Sequence, residues 1–321
     1  MSSHTKNTTK KKKPVPINRA NPASPAWPSF TGTAQVVGTS PSGRVTVYVD
    51  PTLDPQGLQN AQDLLNDADR VANANDAIFG TTGGNVSVIV FALNGATDGT
   101  GGADHMGCDY STGDAIEVDA SYGQSPRVSA LFEAELSECS MNGNLCGLST
   151  GEALSRWCAA VVSKNALADF ATAPQWAQDN QPNFVNQTDN TDGNPDSTGC
   201  GMAFISWLIS KGYGLATIAP AMVSAGDAGT LAQLYANLTS DAAGNAWPNF
   251  RAAIMALPNG VTSDDPFGAL SAGATGVTQA VKAAVGVKRP LAKAAMGMAV
   301  CKPKSKRLLP PNTPQRPSKS A

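Results

Sequence analysis

The sequence predicts an α+β fold, in which an N-terminal α/β half with a small mixed sheet precedes an all-helical half. Two observations favour this class. Strand-like runs of apolar and β-branched residues are confined to residues 44–120, and apolar residues recur at helical spacing from residue 149 to about residue 257. The 321 residues, of which 41% are hydrophobic, are enough to bury a core. We therefore expect a globular body.

Three elements open this body in the order strand, helix, strand. Arg44–Asp50 alternates β-branched residues and ends at Pro51, which indicates a strand closed by a turn. Apolar residues spaced by three and four predict an amphipathic helix over Pro55–Phe79. The run Asn85–Leu93 is almost continuously apolar, as is typical of a strand that is buried on both faces.

Polar side chains follow this buried strand. Residues 94–110 are rich in glycine and include Asp104 and His105, so we expect a loop with polar groups beside the sheet. Acidic and apolar residues alternate in Asp114–Ala120, which places Glu117 on the face opposite to its apolar neighbours. This alternation predicts a short edge strand.

The next helix carries carboxylates where apolar residues are expected. Ser125 suits the N-cap and Pro126 suits the first helical position. At about 100° per residue, Glu135 lies in the middle of the apolar face, Glu138 lies at its edge, and Glu133 lies on the opposite side, where we expect a solvated charge. A charged carboxylate on a buried face must be paired, bind a cation or face a cleft. Glu135 is therefore the first candidate for a catalytic residue.

A second helix is predicted over Ser149–Val162. The tetrapeptide Ser149-Thr150-Gly151-Glu152 fits a capping box, in which the glutamate bonds back to the amide of the cap residue. Alternatively, Glu152 joins the carboxylates of the preceding helix. Further helical patterns follow in residues 200–211, 215–225, 230–238 and 247–257.

Charge is strongly segregated along the chain. Residues 1–40 contain six Lys or Arg residues and residues 269–321 contain ten, whereas the segment between them holds all 25 acidic residues and seven basic ones. An acidic body argues against sequence-specific binding of nucleic acid, although the tails can contact anionic surfaces. Composition predicts a disordered basic arm over residues 1–40, and an Ala/Gly-rich and then basic Pro/Lys-rich tail over residues 269–321. The body between them, 41–268, divides into an α/β half, 41–148, and a helical half, 149–268.

The sequence leaves the compartment and the cysteine pairing open. The sequence contains no run of about 18 apolar residues, so we expect no transmembrane segment. Prolines follow the N-terminal lysines at the place where a signal peptide needs an apolar core. We expect a cytoplasmic protein or one exported by a non-classical route. Among the six cysteines, Cys139 and Cys146 can close a short loop, while Cys158 and Cys200 are expected to be buried or disulfide-linked.

The order of elements and the placement of the carboxylates resemble the zincin metallopeptidases, and more narrowly their gluzincin branch. In that family an edge strand lies along the substrate cleft, the first helix bears the motif HExxH, and the next helix supplies a glutamate as third zinc ligand. Ala134–Glu138, AELSE, aligns with HExxH, and Gly151–Ser155 resembles the second motif. The resemblance covers roughly Arg44–Leu257. Around the second helix and Gly199–Phe204 the chain is also similar to microbial proteins that bring no known activity with them.

The sequence departs from this family at the metal ligands. HExxH needs two imidazoles one helical turn apart, and Ala134 has no donor atom. The chain has only His4 and His105, so a two-histidine zinc site is excluded unless another chain contributes. Glu138 can still coordinate through oxygen, and Glu135 stands where the family has its general base. A carboxylate site of this kind suits calcium, magnesium or manganese better than zinc.

Two functions follow as hypotheses. The first is a non-catalytic metallopeptidase-like domain that acts as a structural module or binds a peptide-like or protein ligand through an acidic cleft formed by Asp104, His105, Glu138 and Glu152. The second is a hydrolase that uses Glu135 with Glu138 and Glu152, with or without a divalent cation. No other cofactor is expected. The structural alternative is that the glutamates are satisfied by backbone groups or by arginines, with three available: Arg127, Arg156 and Arg251.

Overall fold

The computed structural model describes residues 23–112, 114–122 and 124–272, together with the backbone of residues 306 and 307. The predicted disordered arm therefore lies outside the described residues over 1–22. The predicted C-terminal tail lies outside them over 273–305 and 308–321.

The sheet is mixed, with the strand order β1-β2-β3-β5-β4-β6. Its members are β1 Gln35–Thr39, β2 Val45–Val49, β3 Val86–Phe91, β4 Ala103–His105, β5 Ala115–Asp119 and β6 Lys306–Arg307. Strands β2, β3 and β5 run parallel to one another, whereas β1 is antiparallel to β2, β4 to β5, and β6 to β4. The prediction of an α+β fold with a small mixed sheet is confirmed.

The helices follow from amphipathic patterns and from identifiable ends. Helix α1, Pro55–Phe79, begins where the Asp54 carboxylate accepts hydrogen bonds from two backbone amides, and it ends at Gly80, which has a left-handed φ of 68°. The remaining helices are α2 Ser125–Ser140, α3 Ser149–Val162, α4 Ala173–Gln178, α5 Pro195–Ser210, α6 Leu215–Ala225, α7 Leu231–Thr239 and α8 Ala246–Met255. None of the described helices combines the length and the apolar character that crossing a bilayer requires.

The two faces of the sheet are covered differently. Helices α1 and α2 pack against each other and against the sheet, and α3 packs on α2, so the main core lies on this helical face. On the other face Tyr48 and Phe91 are covered by the segment that precedes β1. Trp27 meets Tyr48 edge-on at 5.3 Å between ring centroids, and Phe30 meets Phe91 at 5.1 Å.

This covering segment corrects the prediction of a disordered arm for residues 23–40. Strand β1 pairs with β2, and the two aromatic residues before it lie on the sheet. The polar composition of the arm conceals these contacts, which are the pairing with β2 and the packing of two partly buried rings on the sheet.

The sequence predicts β5 at the edge of the sheet, and this prediction is wrong. It lies between β3 and β4, and the strand beyond it is β4, which falls in the predicted loop 94–110. Glu117 and Asp119 are fully buried because backbone amides reach them. Glu117 accepts hydrogen bonds from the amides of Ser29 and Phe30, at 3.0 and 2.6 Å, and from the Ser29 hydroxyl at 2.7 Å.

Both predicted N-caps are displaced by one residue. Helix α2 starts at Ser125 itself, and the Ser125 hydroxyl lies 3.0 Å from Asn60 Oδ1 and donates to Asp63 Oδ2 at 2.6 Å. Helix α3 is capped by Leu148, which has no side-chain acceptor, so the predicted capping box does not form. The Ser149 hydroxyl instead accepts a hydrogen bond from the amide of Asp189 at 3.4 Å.

A disulfide joins the loop after β4 to the loop between α2 and α3. The bond links Cys108 with Cys146, whose Cα atoms are 5.9 Å apart, and not Cys139 with Cys146 as one predicted pairing had it. Cys139 stays a buried thiol within α2, as Cys158 and Cys200 do in α3 and α5. A hydrogen bond from the amide of Gly143 to the carbonyl oxygen of Cys108, 2.7 Å long, holds the two loops side by side.

Candidate functional site

Strand β4 and helix α2 bring one histidine and two glutamates together. His105 Nε2 lies 3.1 Å from Glu138 Oε2 and 3.7 Å from Glu135 Oε2. We call these three residues the His–Glu cluster. Sequence analysis named each of them, but it did not predict that the single histidine of the body meets both carboxylates.

The geometry follows from the two elements. Glu135 and Glu138 are three residues apart on α2, so their side chains lie on one face of the helix. His105, at the end of the short strand β4, faces the same helix. All three side chains are buried, at 0%, 2% and 5% exposure for His105, Glu135 and Glu138. Among the described residues, His105 Nδ1 has no hydrogen-bond partner.

The electrostatic field at the cluster is negative. Burial raises the pKa of the Cys139 thiol well above its ordinary value, and the charges of Glu135 and Glu138 raise it further. This thiol therefore stays protonated and is not a nucleophile. The nearby carboxylates favour cationic groups over anionic ones at this end of the sheet.

Asp104 precedes His105 on β4 and belongs to the other face of the sheet. Its position is opposite Glu117 in the register with β5, and Glu117 contacts the covering segment rather than α2. Asp104 Oδ1 accepts a hydrogen bond from the amide of His105 at 2.9 Å. Acidic groups therefore lie at both faces of β4, with Asp104 on one face and Glu135 and Glu138 of α2 beside the other.

Glu152 lies in a different charged group. Its Oε1 atom is 3.9 Å from Arg156 Nη1 one turn further along α3, and Arg156 Nη2 is 3.6 Å from Asp264 Oδ2. Arg127, another of the three arginines considered as partners, binds Asp169 at 2.6 Å, and the third, Arg251, is exposed. Glu152 therefore has an arginine partner, while Arg127 serves another carboxylate.

Glu133 is a buried carboxylate that sequence analysis misplaced. It was predicted to be solvated, yet it is fully buried, and neither of its oxygens has a hydrogen-bond partner among the described residues. Burial raises its pKa well above the ordinary value; the charge of Asp76 adds to this effect, whereas that of Arg70 opposes it. The reason for the error is that α2 is buried on every side, from Arg127 to Cys139.

Within the described residues, the candidate donors do not assemble a metal site. In the described part of the chain, no group of three or more His, Cys, Asp or Glu residues is placed to hold a metal ion. Ala134, which aligns with the first histidine of HExxH, is fully buried and has no donor atom. A zinc ion of the family type therefore does not fit the residues present at this position.

A separate groove of about 620 Å³ opens along α1, the start of α2 and the segment after α3. Its polar lining includes Asp63, Asp67, Arg70, Ser129 and Lys164. None of the residues that sequence analysis predicted for an acidic cleft lines this groove.

No protein-family model matches the sequence, and no curated protein matches it. Among solved structures, the chain is similar to yeast LTA4 hydrolase, whose structure was solved in complex with bestatin. This match has a TM-score of 0.35 and 14% sequence identity, and it covers 71% of the chain. The chain spans 38% of the length of that hydrolase. A likeness of this size does not bear on activity.

Proposed function

We propose that the chain is a non-catalytic, zincin-like domain that binds extended basic peptide segments along β4, beside the His–Glu cluster. The observation that carries this proposal is the antiparallel pairing of β4 with the two-residue strand β6. An edge strand that accepts a further strand is the basis of peptide recognition by strand addition, in which backbone hydrogen bonds supply affinity and alternate side chains supply specificity.

The charges around β4 support a basic partner. Asp104 and Glu117 are neighbours on one face of the sheet, and Glu135 and Glu138 lie beside His105 on the other. Opposite charges on directly facing residues of two antiparallel strands stabilise the pair. A strand with lysine or arginine at successive positions therefore brings positive charge to both faces of β4.

The same residues support a role without catalysis. The nitrogen of His105 that faces α2 is within hydrogen-bonding distance of Glu138, and the three members of the His–Glu cluster are almost completely buried. A general base has to reach the proton that it removes from the substrate. Binding at the backbone edge of β4 needs no such access.

The test measures binding of a labelled, valine- and threonine-rich peptide with a central lysine–arginine pair to the full chain by fluorescence anisotropy. We expect saturable binding that is abolished by N-methylation of the peptide backbone at the pair, because strand addition needs those amides. Glu138→Gln should weaken binding by roughly three- to tenfold through loss of a negative charge, whereas Asp179→Asn, at an exposed position, should not. Equal binding of the N-methylated peptide rules out strand addition.

One observation favours a second candidate, a hydrolase. The 3.1 Å contact of His105 with Glu138, with Glu135 close by, is an arrangement that can accept and return a proton. A screen of peptide and ester substrates, with and without divalent cations, tests it against Glu135→Gln. Turnover that this variant loses would favour the hydrolase, and absence of turnover under all conditions would eliminate it.

A further inference from the structure

We propose that the chain regulates this site in cis, because its own C-terminal strand, Lys306–Arg307, occupies the edge of β4 and excludes other peptides until it is displaced. The inference rests on the proposed function of β4 as a strand-binding edge. It adds which segment occupies the edge of β4, and it adds that this segment excludes other peptides.

Exclusion follows from the topology. A strand has two hydrogen-bonding edges, and one edge of β4 is paired with β5. Strand β6 takes the other edge, with Arg307 opposite Asp104 and Lys306 opposite His105. While β6 is paired, no second peptide can add to β4 at these residues.

Charge complementarity identifies the occupant as a basic segment. The C-terminal segment after residue 272 contains ten Lys or Arg residues and no acidic residue, whereas the body carries all the acidic residues of the chain. Two of these ten residues pair with β4, in register with Asp104 and His105. His105 in turn lies next to Glu135 and Glu138 on α2. The net positive charge of the segment and the acidic residues around β4 attract each other and add to the backbone pairing.

The covalent connection makes the occupant an effective competitor. Thirty-three residues, 273–305, separate it from the described body. A chain of this length spans up to about 110 Å when extended, so it can reach β4 from any point on a domain of this size. Tethered ligands act at an effective concentration on the order of millimolar. A free peptide of similar intrinsic affinity must therefore be present at a comparable concentration to displace β6.

The resident strand is nevertheless displaceable. It pairs over two residues only, and each backbone hydrogen bond contributes about 0.5–1.5 kcal/mol net. Strand β4 is three residues long, so a partner that pairs along the whole of it gains one residue pair over β6. The arrangement therefore favours strands of three or more residues over the two-residue β6.

The experiment uses the full chain and a labelled peptide with the sequence of residues 302–309. In the double variant Lys306→Pro/Arg307→Pro neither residue of β6 keeps a backbone N–H group, so the amide of Lys306, which stands opposite His105 on the edge that faces away from β5, is lost and strand pairing is prevented. We expect this variant to bind the peptide at least about tenfold more tightly than the wild-type chain. Lys319→Pro, the same change at a lysine outside β6, should bind like the wild type. Hydrogen exchange should show a protected amide at Lys306, opposite His105, that becomes unprotected when excess peptide is added.

The outcomes separate the two proposals. Tighter binding by the double variant, together with amide protection in the wild type, supports regulation in cis. Equal binding by all three chains overturns it and leaves the proposed function standing. Absence of binding by every chain overturns the proposed function. A pair of charge reversals is a further control: Lys306→Glu/Arg307→Glu should relieve competition, whereas Lys302→Glu/Lys304→Glu, with the same change in net charge, should relieve it less.

Discussion

The carboxylates of α2 differ in what surrounds them. Glu135 and Glu138 lie beside His105, whereas Glu133, on another face of the helix, is fully buried among side chains that give it no hydrogen bond in the described part of the chain. Burial raises the pKa of Glu133, and Arg70 offsets only part of that effect. The proton that Glu133 retains is therefore linked to folding.

The sign of this linkage gives a testable prediction. Above pH 4.5, the ordinary glutamate value, the unfolded chain loses the proton of Glu133 while the folded chain keeps it. The free energy of unfolding should therefore fall with rising pH, by up to about 1.4 kcal/mol per pH unit, until the folded-state pKa is reached. Urea unfolding of the wild type and of Glu133→Gln between pH 5 and pH 8 measures it, and the variant should show the shallower slope.

The control for lost charge is Asp179→Asn, which removes one carboxylate from an exposed position. Parallel pH profiles for the wild type and Glu133→Gln would show that Glu133 is ionised in the folded chain. The helical periodicity of the sequence could not reveal that Glu133 is buried. It identifies the most apolar face of α2 correctly but does not show that other elements cover the remaining faces.

Among the elements, the segment before β1 depends on one side chain of β5. The Glu117 carboxylate accepts two amide hydrogen bonds and one hydroxyl hydrogen bond from residues 29 and 30, and so fixes this segment to the sheet. Without the carboxylate, two partly buried backbone donors lose their partner. Phe30 and Trp27 then lose their fixed position on the sheet.

We predict that Glu117→Ala destabilises the fold by about 2–4 kcal/mol, because buried groups that lose a charged partner are costly. Ser29→Ala is the matched control. It removes only the hydroxyl bond and should cost about 1 kcal/mol. Denaturant unfolding gives the free-energy loss of both variants. The change in the environment of Trp27 is measured by fluorescence after the signal of the other tryptophans is subtracted. Equal effects of the two substitutions would contradict the anchoring role of the amides.

The elements also show what a sequence can predict. Helix α1 was predicted with its observed bounds, Pro55–Phe79, because a long amphipathic pattern with clear ends determines them locally. The sequence predicts β5 at the edge of the sheet because acidic and apolar residues alternate in it, with Glu117 on the face opposite to its apolar neighbours. Its partners are 87 and 88 positions away in sequence, and no local pattern contains them. Strand β4 is three residues long and forms only through its neighbours.

For the candidate site, the sequence predicted the residue types but not their grouping. Glu135 and Glu138 were found because they interrupt an apolar helical face. That His105 joins them depends on the packing of β4 on α2. The pair of Glu152 with Arg156 is instead local, because the two residues are four positions apart on α3. The distances from His105 to the two glutamates are set by tertiary contacts, which a single sequence does not specify.

At the scale of the whole molecule, acidic and basic charges are separated along the chain and meet again at β4. Electrostatic attraction between them depends on ionic strength, since the screening length falls from about 30 Å at 0.01 M to about 3 Å at 1 M salt. Backbone hydrogen bonds inside the parallel core of the sheet are far less sensitive to salt. The two contributions can therefore be separated by experiment.

We predict that protection of the Lys306 amide decreases as sodium chloride is raised from about 0.02 M to about 0.5 M, because screening weakens the attraction between the basic strand and its acidic surroundings. Amides of β2 and β3 provide the internal control and should keep their protection. Hydrogen exchange followed by mass spectrometry measures both. Unchanged protection of β6 at high salt would mean that backbone pairing alone holds the strand.

The disulfide between Cys108 and Cys146 closes a covalent loop that contains β5 and the whole of α2. A protease that cuts the chain once between these two cysteines therefore produces two fragments that remain bonded to each other. The cleaved protein should migrate as one species on a non-reducing gel and separate into two only after reduction.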